Sequence, residues 1–254
     1  MKTSDLKKLW IIPVALAAGN AVYQLNRKHP GDSERYLPEF SEERNTSLKG
    51  KNIIFLGSSV TYGRKDVSFV EYLNKQYGVN TVKEALSGTT LVDEKVYGRD
   101  SYITRMKRIN KNLKPDLFIC QLSTNDASLK KPMGRLSDSY NKELLDTHTV
   151  CGAIEYIIAY ARETWNCPIM FYTNTEFKSE QYRKMVGLLL RICDKWNIGI
   201  IDLYHDLKVN DISSDRYKLY TINPIHPSLA GYRDWWTPYM AVKIEEYLQE
   251  KKDA

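Results

Sequence analysis

The chain has 254 residues, 43% hydrophobic and 27% charged, which is ordinary globular composition and enough for one large core but not two comfortable domains. The formal net charge is +6, yet no Lys/Arg block exceeds a pair and no recognition-helix or zinc-ligand spacing is present, so nucleic acid is not indicated as a partner. The four cysteines, Cys120, Cys151, Cys167 and Cys193, lie far apart without a C-x-x-C pair, which excludes a dense disulfide framework.

Residues 1–28 differ from all that follows. Lys2, Lys7 and Lys8 precede a largely apolar run from Leu9 to Tyr23, broken by Pro13, Gly19 and Asn20. A basic start before an apolar stretch reads as a signal peptide or a short N-terminal membrane anchor, with membrane association through residues 9–25. Ala15-Leu16-Ala17 offers small residues to a signal peptidase. The expectation is an extracytoplasmic protein, exported or anchored by its N-terminus. Residues 29–49 are polar, with Pro30, Gly31 and Pro38, and read as a linker to a domain over 50–250.

From Lys51 strand-like and helix-like segments alternate. Asn52–Leu56 is a short apolar run ending at Gly57, as expected for a strand buried on both faces. Thr81–Leu86, Asp116–Leu122, Pro168–Thr173 and Gly199–Leu203 repeat that pattern. Between them Phe69, Tyr72, Leu73 and Tyr77 make one helical stripe, and Ile103, Met106, Ile109 and Leu113 a second. Further stripes run over Val150–Ala161, Tyr182–Trp196 and Trp235–Leu248. This predicts a three-layer α/β domain: a parallel five-stranded sheet of the flavodoxin-like kind, with helices on both faces. Ligands of such sheets sit at the carboxyl ends of the strands, so the residues after Leu56, Leu86, Leu122 and Leu203 should share one crevice.

The first of these turns is Gly57-Ser58-Ser59-Val60-Thr61. A serine there can project its hydroxyl into the crevice, although serine also caps helices. The second is Ser87-Gly88-Thr89, where glycine permits a close backbone approach or simply a turn. The third is Ser123-Thr124-Asn125-Asp126, in which an asparagine amide could donate to a developing oxyanion. Near the C-terminus, His226 lies between Pro224 and Pro227 in Asn223-Pro224-Ile225-His226-Pro227-Ser228, ahead of the last helix.

Together these segments resemble the SGNH (GDSL-like) hydrolase family over about 200 residues, the size of one domain. Ser59 falls in the nucleophile position, Gly88 and Asn125 match the residues that complete an oxyanion hole with the Ser59 N–H, and His226 matches the base. Three positions depart from the family. Ser58 stands before the nucleophile and Ser123 two residues before Asn125, where the family carries aspartate and glycine. The triad acid is replaced by Asn223. A substitution of that kind costs a serine protease about four orders of magnitude. Asp202, Asp206, Asp211 and Asp215 are candidate substitutes.

The resemblance implies a serine esterase cleaving a carboxylic ester, with Ser59, His226 and Asn223 catalytic and no metal or cofactor. Small-molecule, glycan or lipid esters are the implied substrates, and cell-surface O-acyl groups fit an exported protein. An O-acyltransferase with the same machinery and a catalytically weak binding module are the alternatives. Tyr62, Tyr97, Tyr217 and Tyr220 are expected near the crevice, where their rings could stack on sugars. The long segment from Ala127 to His148, with Lys130, Lys131 and Arg135, reads as a lid or a solvated basic loop.

Overall fold

The computed structural model describes residues 28–253. The stretch expected as signal or anchor therefore lies, but for Lys28, outside the described residues. No helix among those described is long and apolar enough to cross a membrane.

Five parallel strands form the sheet: β1 Asn52–Gly57, β2 Asn80–Ala85, β3 Leu117–Gln121, β4 Ile169–Tyr172 and β5 Gly199–Ile201. Their order is β2-β1-β3-β4-β5, the flavodoxin-like arrangement. The apolar runs hide a period of two. Ile53 and Phe55 of β1, with Met170 and Tyr172 of β4, enter one core layer beside Phe69, Tyr72 and Trp236. Ile54 and Leu56, with Phe118 and Phe171, enter the other beside Ile154, Ile158, Leu189 and Trp196. Each fully buried side chain of this kind contributes about 1.5–3 kcal/mol, so both faces carry the fold.

The helices that cover the sheet are α1 Ser59–Tyr62, α2 Phe69–Tyr77, α3 Tyr102–Met106, α4 Thr124–Ser128, α5 Val150–Trp165, α6 Glu180–Trp196, α7 Leu207–Asn210, α8 Ser214–Tyr220, α9 Leu229–Gly231 and α10 Thr237–Asp253. Their starts follow local chemistry. Ser68 and Glu71 close a capping box on α2, and Thr149 and Ser179 cap α5 and α6. The second expected stripe is cut short at Met106. Residues beyond it close i→i+3 turns, Arg108 N–H to Arg105 and Ile109 N–H to Met106, which keep Ile109 in the core without a helix.

Two segments differ from expectation. The stretch read as a linker carries three 3₁₀ turns, Pro30–Asp32, Glu34–Tyr36 and Pro38–Phe40, two of them opened by proline at the first position. These turns lie against the domain. Tyr36 and Leu48 are buried, and Tyr72 Oη donates to the Tyr36 carbonyl at 2.5 Å. Asp32 accepts from Arg64 Nε at 2.6 Å and from Leu229 N–H at 3.2 Å. Within this stretch proline and charge build turns and a bridge.

The segment after α4 is not a lid. Lys195 Nζ, at the end of α6, donates to the Ser137 and Ser139 carbonyls at 2.5 and 2.8 Å and to Glu155 Oε1 at 2.5 Å. The Tyr140 ring packs edge-on to Trp196 at 4.9 Å. Because α6 runs back to start β5, its C-terminus lies at the amino edge of the sheet, opposite the crevice. The segment is a strap laid along α5 and α6. Lys131 pairs with Glu94, while Lys130 and Arg135 are exposed.

Candidate active site

The strand order puts β1 between β2 and β3, so Ser59, after β1, is flanked by the loop of Gly88 and the turn of Asn125. The turn at Ser59 is tight. A Cβ on Gly57 would lie 1.7 Å from Thr61 Oγ1, so only glycine fits. Gln121, buried at the end of β3, holds the turn from below. Its Oε1 accepts from Ser58 N–H and Thr61 Oγ1, both at 2.9 Å. Ser58 makes no capping bond with its side chain and is fully buried. Ser59 is half-buried, and its hydroxyl faces histidine.

Ser59 Oγ lies 2.8 Å from His226 Nε2. His226 Nδ1 lies 3.0 Å from Asn223 Oδ1. The same Oδ1 accepts from the Ile225 and His226 backbone N–H groups, both at 3.0 Å. Two backbone donors thus identify the oxygen of the amide, so Nδ1 must carry the proton and Nε2 is left as the acceptor for Ser59. The loop around them is locked. Ile222 N–H donates to the His226 carbonyl at 2.8 Å, Ser228 N–H to Tyr220 at 2.8 Å, and Ser228 Oγ to Leu219 at 2.7 Å.

Burial pushes His226 down to about 4, and the Arg64 guanidinium acts in the same direction. The candidate aspartates are engaged elsewhere. Asp202 accepts from the His205 ring at 2.8 Å, Asp206 caps α7 and accepts from Tyr239 Oη at 2.6 Å, and Asp211 and Asp215 are exposed. Among the described residues, the hydrogen-bond partners of the His226 ring are Ser59 and Asn223.

Opposite, Gly88 adopts φ +81, and Asn125 Nδ2 donates to the Thr89 carbonyl at 2.8 Å, tying the two turns together. The Asn125 amide has a second N–H to offer. Asp126 braces the same loop. It is fully buried and accepts from Leu91 and Val92 N–H at 2.8 and 3.1 Å, while burial raises its carboxyl to about 6. The arrangement offers a hydroxyl with an adjacent acceptor base, beside a glycine turn and an amide donor.

The sequence profile of the GDSL-like lipase/acylhydrolase family matches residues 55–233, more than half of the chain. The chain belongs to this family. Among solved structures, a protein of Lactobacillus plantarum aligns over 80% of this chain and 98% of its own, with 18% identity and a TM-score of 0.62. A Bacteroides ovatus protein described as a GDSL-like lipase aligns over 80% and 99%, with 23% identity and a TM-score of 0.50. An acetyl xylan esterase aligns over 77% and 98%, with 15% identity and a TM-score of 0.54. At these identities the likeness is one of fold. No curated protein matches. The GDSL-like chain is thus an ester hydrolase.

Several residues escaped the sequence reading: Gln121 beneath the Ser59 turn, Asp126 and Arg105 beneath the glycine loop, Arg99 over it, and the Asp32–Arg64 pair beside His226. Asp126 directly follows Asn125, so its adjacency was visible. The others act across strands, and no local pattern marks them.

Proposed function

We propose that the chain is a serine esterase that hydrolyses O-acyl groups on a cell-surface glycan or lipid, with Ser59 as nucleophile and His226 as base. The 2.8 Å contact between Ser59 Oγ and His226 Nε2, with Nδ1 held protonated by Asn223, carries this reading. His226 takes the Ser59 proton as Oγ attacks the ester carbonyl. The oxyanion is received by the Ser59 and Gly88 N–H groups and the free N–H of Asn125. His226 then protonates the leaving alcohol, and water repeats the cycle to release the acid.

Asparagine at position 223 withholds charge but not orientation. In a serine protease the corresponding loss is attributed to the wrong histidine tautomer. Here the amide oxygen is fixed by two backbone donors, so the tautomer is right and only the stabilisation of the imidazolium is reduced. A glycan ester is supported by Tyr62, Tyr97 and Tyr217, which are 36%, 72% and 38% exposed, and by the shared fold with an acetyl xylan esterase. Export or anchoring through residues 1–28 is proposed from their basic-then-apolar order. The test is incubation with p-nitrophenyl acetate and a serine-directed phosphonate, followed by mass mapping. A Ser59 adduct and loss of turnover in Ser59→Ala are expected, whereas an adduct on Ser58 or an unaltered Ser59→Ala would refute the assignment. Acyl transfer to an added sugar in preference to water would replace hydrolase by acyltransferase.

A further inference from the structure

Ser87 and Thr89, on either side of Gly88, are both pinned. Below, Arg105 is almost wholly buried, and its Nη2 donates to the Gly57 carbonyl at 2.8 Å and to Thr89 Oγ1 at 3.1 Å. Thr89 Oγ1 in turn donates to the Leu86 carbonyl at 2.6 Å. With Asn125 on the Thr89 carbonyl, the C-terminal side of Gly88 is joined to the ends of β1, β2 and β3. The remaining freedom is rotation of the peptide between Ser87 and Gly88, whose N–H is the second proposed oxyanion donor.

That peptide is held by Arg99. Its Nη1 donates to the Ser87 carbonyl at 2.5 Å, and a Cβ on Gly88 would stand 3.0 Å from the same nitrogen. Arg99 is presented by a two-residue turn. Val96 and Arg99 exchange backbone bonds of 3.1 and 3.0 Å around Tyr97 and Gly98, both left-handed at φ 51 and 75. Its guanidinium is exposed, and among the described residues it makes no salt bridge, so its charge is not neutralised by a neighbour.

In a trans peptide the C=O and N–H point in opposite directions. A donor fixed on the Ser87 oxygen therefore turns the Gly88 N–H away from Arg99. A cation bonded to the carbonyl also draws electron density from the amide and makes its N–H a stronger donor. We propose that Arg99 is a positioning residue of the oxyanion hole, aiming and polarising the Gly88 N–H through the Ser87 carbonyl. This rests on the reading of Ser59 as nucleophile and Gly88 as oxyanion donor.

The test compares the parent with Arg99→Met, Arg99→Gln and Arg99→Lys. A small neutral ester, p-nitrophenyl acetate, is used for turnover, and a neutral phosphonate for the rate of Ser59 labelling. Removing one oxyanion donor outright lowers kcat by about 100- to 1,000-fold, so loosening one is expected to lower it by about tenfold. Arg99→Met should show that drop in kcat and a slower labelling rate, with KM and melting temperature unchanged. Arg99→Gln, which can donate without charge, should fall between Met and the parent, and Arg99→Lys should recover part of the loss. A normal kcat and labelling rate in Arg99→Met would overturn the proposal. So would a normal kcat on the neutral ester with KM raised only for an anionic ester, which would make Arg99 a substrate-binding group instead. A parent that neither turns over nor labels at Ser59 would overturn the esterase reading, and this proposal with it.

Discussion

Replacing Asn223 by aspartate adds the charge that the histidine loop lacks, in a place already shaped for it. Asn223 Oδ1 accepts from the Ile225 and His226 backbone N–H groups and faces His226 Nδ1, each at 3.0 Å, and a carboxylate can accept the same three bonds. With charge centres about 4 Å apart and an effective dielectric constant of about 20, carboxylate and imidazolium attract by about 4 kcal/mol. Desolvation of the new charge in a half-buried loop offsets roughly half of this, leaving about 2 kcal/mol for the transition state. That is about thirtyfold in kcat at pH 8. Asp202 and Asp206 are engaged with His205 and Tyr239, so they do not hold His226 themselves. The carboxylate should also lift His226 from its value of about 4. Catalysis needs the neutral imidazole, so the acid limb of kcat/KM moves to higher pH in Asn223→Asp, and its advantage narrows as pH falls. The assay is kcat and kcat/KM on p-nitrophenyl acetate from pH 4 to 9, repeated in a Ser59→Ala background, where the gain must vanish. An equal or lower kcat at pH 8, with unchanged melting temperature, would refute the reasoning that only charge is missing.

The parent should itself keep a level kcat/KM from pH 8 to about pH 5, because His226 titrates at about 4, and an inflection near 6.5 would contradict burial as the dominant influence. The folded chain binds fewer protons at His226 than the unfolded chain between about 4 and 6.5, so stability should fall as pH drops through that window, and His226→Gln should remove this contribution in urea titrations. Gly88→Ala should lower kcat by about tenfold or more with little change in KM, since its left-handed φ is strained for alanine and the methyl would press on the Arg99 guanidinium. Removing residues 1–28 should leave the melting temperature unchanged, whereas removing residues 1–41 should destabilise the chain by about 2–4 kcal/mol through loss of the buried Tyr36 and the Asp32 bridge, read by chemical denaturation.

The sheet was legible because a strand buried on both faces leaves a continuous apolar run, and even the sparse run around Val82 and Ala85 emerged as β2. Which of Ile53 and Ile54 faces which helical layer was not legible, since both faces are apolar and the pattern carries no sign. Ser59, Asn125 and His226 stood out because each follows a strand or sits between prolines, where local chemistry and placement coincide. Arg99 and Arg105 were invisible for the opposite reason. One is exposed on a turn and the other is buried on a short helix, and their partners, the Ser87 carbonyl for Arg99 and the Gly57 carbonyl, Thr89 hydroxyl and Glu84 carboxylate for Arg105, are distant in sequence. The 3₁₀ turns at Pro30 and Pro38 were not legible in the composition, because burial of Tyr36 depends on a face of the domain assembled from α2 and α9.

The Asp32 bridge also fixes where the chain enters. Asp32 is bonded to Arg64, five residues past Ser59, and to Leu229, three past His226. Lys28 is only four residues upstream, at most about 14 Å of extended chain. The described chain therefore begins on the crevice side of the molecule, close to the turns that carry Ser59 and His226. An N-terminal attachment of the kind proposed for residues 1–28 would thus enter the domain beside the mouth of the crevice and not on the far edge of the sheet.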